Sequence, residues 1–160
     1  ILMLSAAITG SIITRYEDAI SAVPLLVAFL PMLMDTGGNC GSQSSTLIIR
    51  GLAVDELRFA DTARIIWMEL RVALLVGLGL AVADSAFFML RYNDLRLAGV
   101  VSAAMLCTVV CAKVTGGLLP IAAKRLGMDP ALMAAPLITT VVDTVAMFIY
   151  FTIASAVFAI

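Results

Sequence analysis

A run of small and polar residues constrains this chain more than any other feature: Asp35-Thr36-Gly37-Gly38-Asn39-Cys40-Gly41-Ser42-Gln43-Ser44-Ser45-Thr46. It sits inside a stretch that otherwise reads as membrane-spanning. From Ala19 to Ile49 the sole ionisable carboxylate or base is Asp35. Gly37, Gly38 and Gly41 permit either close packing of helices or a break with non-helical dihedrals, whose freed backbone Asn39 and Gln43 would bond. Irregular backbone exposes N–H and C=O groups that lipid cannot satisfy. Such backbone is tolerated only where it is buried in protein or lines a water-filled path. The segment therefore points to a route for something polar.

The membrane setting follows from composition. Hydrophobic residues make up 62% of the 160 and charged residues 13%, against roughly 45–50% and about 25% in soluble domains. A soluble domain of this size could not hide so much apolar surface. The net charge of −1 offers no basic patch to neutralise phosphates, which argues against a nucleic-acid partner. Histidine is absent, removing the commonest general base and transition-metal ligand. Cys40, Cys107 and Cys111 are an odd count inside apolar runs and form no disulfide framework. Cys107 and Cys111 share a helix face, but with no further Cys or His nearby they read as packed thiols. Residues 1–14 lack the basic start and small-residue cleavage site of a signal peptide. The chain reads as beginning partway through a helix, which points to a longer native N-terminus.

A spanning helix needs about 20 apolar residues, and five segments are expected to supply one each, giving an all-α membrane protein. They are Ile1–Thr14, Ala19–Ile49 with its glycine-rich break, Val72–Leu90, Leu97–Ala123 and Ala131–Ile160. Pro24 and Pro31 should kink the second, because proline removes a backbone donor and clashes with the preceding turn. The stretch Gly51–Arg71, with its charges and Trp67, reads as an amphipathic piece near an interface. Six bases flank the second and fourth connections (Arg50, Arg58, Arg64, Arg71, Lys124, Arg125), against three at the first and third (Arg15, Arg91, Arg96). The positive-inside rule then puts the N-terminus in the cytoplasm and the C-terminus outside.

Asp143 is the sharpest functional candidate, near the middle of the fifth apolar segment. An ionised carboxylate there costs at least about 2.5–3.5 kcal/mol unless it meets water, a cation or a partner. Thr139 and Thr140 lie three to four residues before it, on the same general side of a helix. Pro136 should loosen the backbone just upstream and free carbonyls toward a hydrated cation. With no imidazole or thiolate close by, the environment is oxygen-only, which suits Mg²⁺, Ca²⁺ or Mn²⁺. Asp35 and Lys113 carry opposite signs on different segments, so a buried ion pair is one expectation and a role in the pathway the other. Asp84, nearer a segment end, reads as solvated. Asp35-Thr36-Gly37 spells the tripeptide of aspartic proteases, but that motif belongs to a soluble β-rich fold that this chain cannot form.

Two longer patterns carry a resemblance. Gly37-Gly38-Asn39-Cys40-Gly41-Ser42-Gln43, with Arg50-Gly51-Leu52-Ala53 as its exit, resembles the Gly-Gly-Asn-x-Gly-x-Gln and Arg-x-Leu-Ala pattern of MgtE magnesium channels. Gly127-Met128-Asp129-Pro130-Ala131, followed by Pro136 and by Asp143 seven residues on, is similar to the same family's second motif. Tyr16-Glu17 and the Gly-x-x-x-Pro of Gly116–Pro120 extend the similarity over nearly the whole chain.

The resemblance implies an MgtE-like transmembrane domain over residues 1–160, with five transmembrane helices per subunit. It also implies a homodimer in the lipid bilayer, with a pore near the two-fold axis, in a bacterial or archaeal plasma membrane. Mg²⁺ would be the transported ion and no catalysis is implied. Asp143 inherits the place of the pore aspartate facing hydrated Mg²⁺, Thr139 the place whose carbonyl assists, and Thr140 stands beside them as a metal-site candidate. The resemblance leaves channel and Na⁺- or H⁺-coupled exchanger both open, the latter with Asp35 and Lys113 in its cycle. Ala135 replaces the Asn that usually precedes the proline, and the family's cytosolic regulatory domains are absent from these residues.

Overall fold

The computed structural model describes residues 2–133 and 135–159, so the segment ends expected at Ile1 and Ile160 lie outside the described residues. Within them the chain is helical: α1 (Leu2–Arg15), α2 (Glu17–Ala22), α3 (Leu25–Ala28), α4 (Leu30–Ala53), α5 (Thr62–Tyr92), α6 (Leu95–Arg125) and α7 (Ala135–Phe158). Single 3₁₀ turns at Phe59–Asp61 and Pro130–Met133 lead into α5 and α7. By length and composition α5, α6 and α7 from Pro136 onward can each cross a bilayer. All five expected segments are thus helical, and three of them meet the criterion for a span.

The second segment breaks where proline dictates and not where glycine suggested. Helix stops at Val23–Pro24 and again at Phe29, and Pro31 enters α4 in its first turn, where a missing N–H costs nothing. From there α4 runs for 24 residues straight through Gly37–Gln43. The expected irregular stretch is therefore a continuous helix, and Asn39 and Gln43 have no freed backbone there to satisfy. Proline loses a hydrogen bond wherever it sits in a helix interior, whereas glycine costs only about 1 kcal/mol. Tertiary contacts can offset that smaller penalty.

The third segment also starts earlier than expected. Its helix begins at Thr62 and runs 31 residues, so the stretch 62–71 is the head of α5 and not a separate interfacial piece. Asn93 adopts a left-handed conformation (φ 50°), and the Asp94 side chain accepts from the N–H groups of Arg96 and Leu97, so two residues turn α5 into α6. Gly127 ends α6 with φ 72°. Its N–H and that of Met128 bond back to the carbonyls of Lys124 and Ala123, closing a Schellman turn.

Helix α6 is the hub, packed against α4, α5 and α7. Val100, Val101, Val109 and Ala112 are fully buried on it, facing Leu33 of α4 and Ile138, Tyr150 and Phe151 of α7 within one core. Between helices in lipid no hydrophobic driving force operates, so close packing and interhelical hydrogen bonds hold the bundle. Helix α5 lays one face on α6 and turns Trp67, Leu75, Val82 and Leu90 outward. The broken segment is tied down by Tyr150, whose hydroxyl donates to the Leu26 carbonyl at 3.0 Å.

Candidate functional site

Glycines on α4 bring α7 close. A Cβ on Gly37 would stand 2.8 Å from Val142 Cγ1, and one on Gly41 2.8 Å from Ile138 Cγ2. One on Gly38 would meet Thr139 Cγ2 at 3.1 Å and Asp143 Oδ1 at 3.9 Å. Of the two readings open to this run, break and packing surface, the fold takes the second.

Beside this seam lies a cavity of about 160 Å³ lined by Met34, Asp35, Gly38, Asn39, Thr139 and Asp143. Asp143 and Thr139 are one turn apart on α7; Asp35 and Asn39 are one turn apart on α4. Asp35 and Asp143, from different helices, thus face one shared space. A space of that size and polar lining admits several waters. A second, larger groove of about 450 Å³ continues along α4 over Asn39, Ser42, Gln43, Thr46 and Leu47. The two share Asn39, and Asp35, Asn39, Ser42 and Thr46 recur at helical spacing, forming one polar stripe. The Ser42 hydroxyl is buried without a hydrogen-bond partner.

Thr140 is not among the residues lining either space; its hydroxyl donates to the Pro136 carbonyl at 2.7 Å. Thr139 makes a longer bond to the same carbonyl, 3.2 Å. Pro136 sits in the first turn of α7, so it starts the helix instead of loosening it. Ala135 opens α7, and its side chain lies outside those described.

Lys113 corrects a second expectation. Its ammonium lies 3.5 Å from Glu69 Oε2 and donates to Ser44 Oγ at 3.0 Å, while Ser44 donates to Glu69 Oε2 at 2.6 Å. All three side chains are buried, joining α4, α5 and α6. The partner of Lys113 is therefore Glu69 and not Asp35, which faces the cavity with Asp143. An ion pair between Asp35 and Lys113 would require the polar stripe of α4 to turn inward, where its glycines pack instead. Glu69 was missed because it lies in a charge-rich stretch that reads as interfacial. The signal that finds it is spacing: Ile65, Glu69, Ala73 and Gly77 recur every four residues, and all are buried.

Asp84 also departs from its expected solvation. It is partly shielded on α5, with Oδ2 buried and unpartnered. Cys40 is buried, Cys107 exposed and Cys111 half-buried, all as free thiols. Among the described residues no three His, Cys, Asp or Glu side chains converge to cage an ion. What converges at the α4–α7 seam is a pair of carboxylates with an amide and a hydroxyl. That is too few ligands to strip a divalent ion of its water and enough to attract one that keeps it.

Comparison with known proteins agrees with this reading of the frame. The MgtE family model, described as a divalent cation transporter, matches residues 30–153. The magnesium transporter MgtE of Thermus thermophilus is 38% identical over 154 residues, covering 96% of this chain and 34% of its own length. That of Bacillus subtilis is 34% identical over 156 residues, covering 98% of this chain and 35% of its own. That of Enterococcus faecalis is 33% identical over 147 residues, covering 92% and 32%. The chain spans about one third of the length of these relatives. An all-helical frame with spans fit for a bilayer, and a family match over most of it, lead to one conclusion: this chain belongs to the MgtE family of divalent cation transporters.

Proposed function

We propose that this chain forms the ion-conducting membrane part of a Mg²⁺ transporter, with Asp143 and Asp35 attracting the hydrated ion at the α4–α7 seam. The observation that carries the reading is that two aspartates, on α4 and α7, line one cavity of about 160 Å³ with Asn39 and Thr139. Magnesium sheds water reluctantly and is usually held through retained waters. Two carboxylates supply the attraction, while the Asn39 amide oxygen and the Thr139 hydroxyl oxygen, whose proton goes to the Pro136 carbonyl, accept from the ion's own waters. The Thr139 carbonyl lies one turn before Asp143 and adds a further acceptor. Thr140 acts at one remove, through its bond to Pro136 at the head of α7.

Five crossings are proposed: α1, the α2–α4 segment, α5, α6 and α7. At 24 residues, α4 is about 36 Å long at 1.5 Å per residue, enough for a bilayer core of about 30 Å. Asp35 and Asn39 on the cavity wall are exposed, so a second copy facing them across a two-fold axis would close the path and double its carboxylates. The Lys124 ammonium donates to the Leu52 carbonyl at 2.8 Å, which brings the two base-rich connections to one end of the molecule. That end is the cytoplasmic one on the positive-inside rule, with the N-terminus inside and the C-terminus outside a bacterial or archaeal plasma membrane. The family is one of transporters and not of enzymes, so Asp35-Thr36-Gly37 serves transport and packing and not proteolysis.

The test is Mg²⁺ entry into proteoliposomes holding a Mg²⁺-sensitive dye, with no Na⁺ or pH gradient imposed. Entry down the Mg²⁺ gradient alone is expected. No entry under any gradient would overturn the proposal, and strict dependence on Na⁺ or H⁺ would overturn its passive form.

A further inference from the structure

We infer that the buried Ser44–Lys113–Glu69 network is a positioning device that sets the rotation of α4 about its own axis, and so decides which side chains face the ion path. The inference rests on the proposed path but is argued from a separate part of the molecule. From Asp35 to Thr46 no side chain is apolar and larger than that of cysteine. One face of this stretch carries Asp35, Asn39, Ser42 and Thr46; the other carries Gly37, Cys40, Gly41 and Ser44. Leu33 and Ile48 anchor α4 on either side of this stretch, but within it neither face offers bulky knobs to fill a matching hole, so shape specifies rotation weakly where the path lies. The glycine contacts with α6 and α7 fix how near α4 comes, not how it is turned.

Ser44 supplies what the glycines lack. It stands nine residues after Asp35, and at 100° per residue that places it on the opposite side of the helix from the path. Its hydroxyl accepts from Lys113 of α6 and donates to Glu69 of α5, two directional bonds to two different helices. Both partners are buried, and Gly117 next to them is packed against Glu69, where a Cβ would stand 3.4 Å from Cγ. A turn of α4 by one residue would break both bonds inside the bundle and leave a charged pair short of its bridging hydroxyl. Buried ionic groups contribute little net stability relative to apolar replacements, and their best-attested use is to fix register. A network behind the path, with no contact to it, fits that use.

The native Cys40 reports on rotation. It is buried four residues before Ser44, while its neighbour Asn39 faces the cavity. In a background of Cys107→Ala and Cys111→Ala, Cys40 should be slow to react with a small charged methanethiosulfonate applied to the reconstituted protein. Ser44→Ala keeps the Lys113–Glu69 pair and should leave thermal unfolding within a few degrees of the parent. It should speed Cys40 labelling at least tenfold and lower the preference of flux for Mg²⁺ over K⁺ several-fold. Glu69→Gln with Lys113→Met, which leaves no lone charge, should do the same and keeps the test open if Ser44→Ala misfolds. Parent-like labelling and selectivity in either folded variant would overturn the inference. Labelling needs no transport, so failure of the transport reading would show separately, as Asp143→Asn leaving flux unchanged.

Discussion

Gly41 and Gly116 meet backbone to backbone where α4 crosses α6: a Cβ built on Gly116 would land on the Gly41 carbonyl oxygen. Two helices in lipid gain most from such an approach, because dispersion contacts and weak backbone interactions replace the hydrophobic effect. The contact also holds α4 near enough to α7 for Asp35 and Asp143 to share one cavity.

Gly116→Ala should therefore push α4 off α6 and destabilise the protein by about 1–3 kcal/mol, the range for overpacking a well-filled core. Thermal unfolding in detergent measures it. Gly99→Ala is the control, since a Cβ there meets nothing within 4 Å. It should be neutral or slightly stabilising on helix propensity. Equal melting of the two variants would contradict the crossing.

Gly38→Val should collapse flux with a smaller loss of stability. Its branched side chain would press on Thr139 and occupy the cavity beside Asp143. Normal flux from a folded Gly38→Val protein would remove the cavity from the path.

Glu69 and Lys113 should be coupled and Asp35 and Lys113 should not. Removing one partner of a buried pair leaves an uncompensated charge, worth about 3–5 kcal/mol. Glu69→Gln and Lys113→Met should each lower stability, and the double variant should recover much of the loss. Asp35→Asn, at an exposed position facing the cavity, should change stability little and add to Lys113→Met without interaction. A double-mutant cycle separates the two cases. Coupling between Asp35 and Lys113 would contradict the observed pairing.

Tyr150→Phe should cost about 1–3 kcal/mol by depriving the Leu26 carbonyl of its buried donor at the break between α3 and α4. Unfolding monitored by tryptophan fluorescence reads the loss. No change would mean that α7 does not hold the broken segment.

Much of this frame was legible in sequence, for identifiable reasons. Long apolar runs mark α5, α6 and α7 because only length and hydrophobicity are needed to read them. Pro24 and Pro31 mark the true interruptions, because a proline's lost hydrogen bond is a property of the residue itself. Asp143 stands out because a carboxylate in an apolar run is costly wherever its helix faces, and Thr139 follows from helical spacing. The glycines were legible only as a choice between a break and a close approach, because their cost is local while the contact that decides for the approach is with residues about a hundred positions away. Lys113 misled for a related reason. Sequence gives its sign and depth, but the choice between Asp35 and Glu69 depends on the azimuth of three helices, which only packing fixes.

The most direct test of the central claim is Mg²⁺ flux through Asp143→Ala in proteoliposomes, beside a thermal melt showing that the variant is folded. Flux should vanish, or its preference for Mg²⁺ over K⁺ should be lost. Unchanged flux and selectivity in a folded variant would contradict the assignment of the path to the α4–α7 seam.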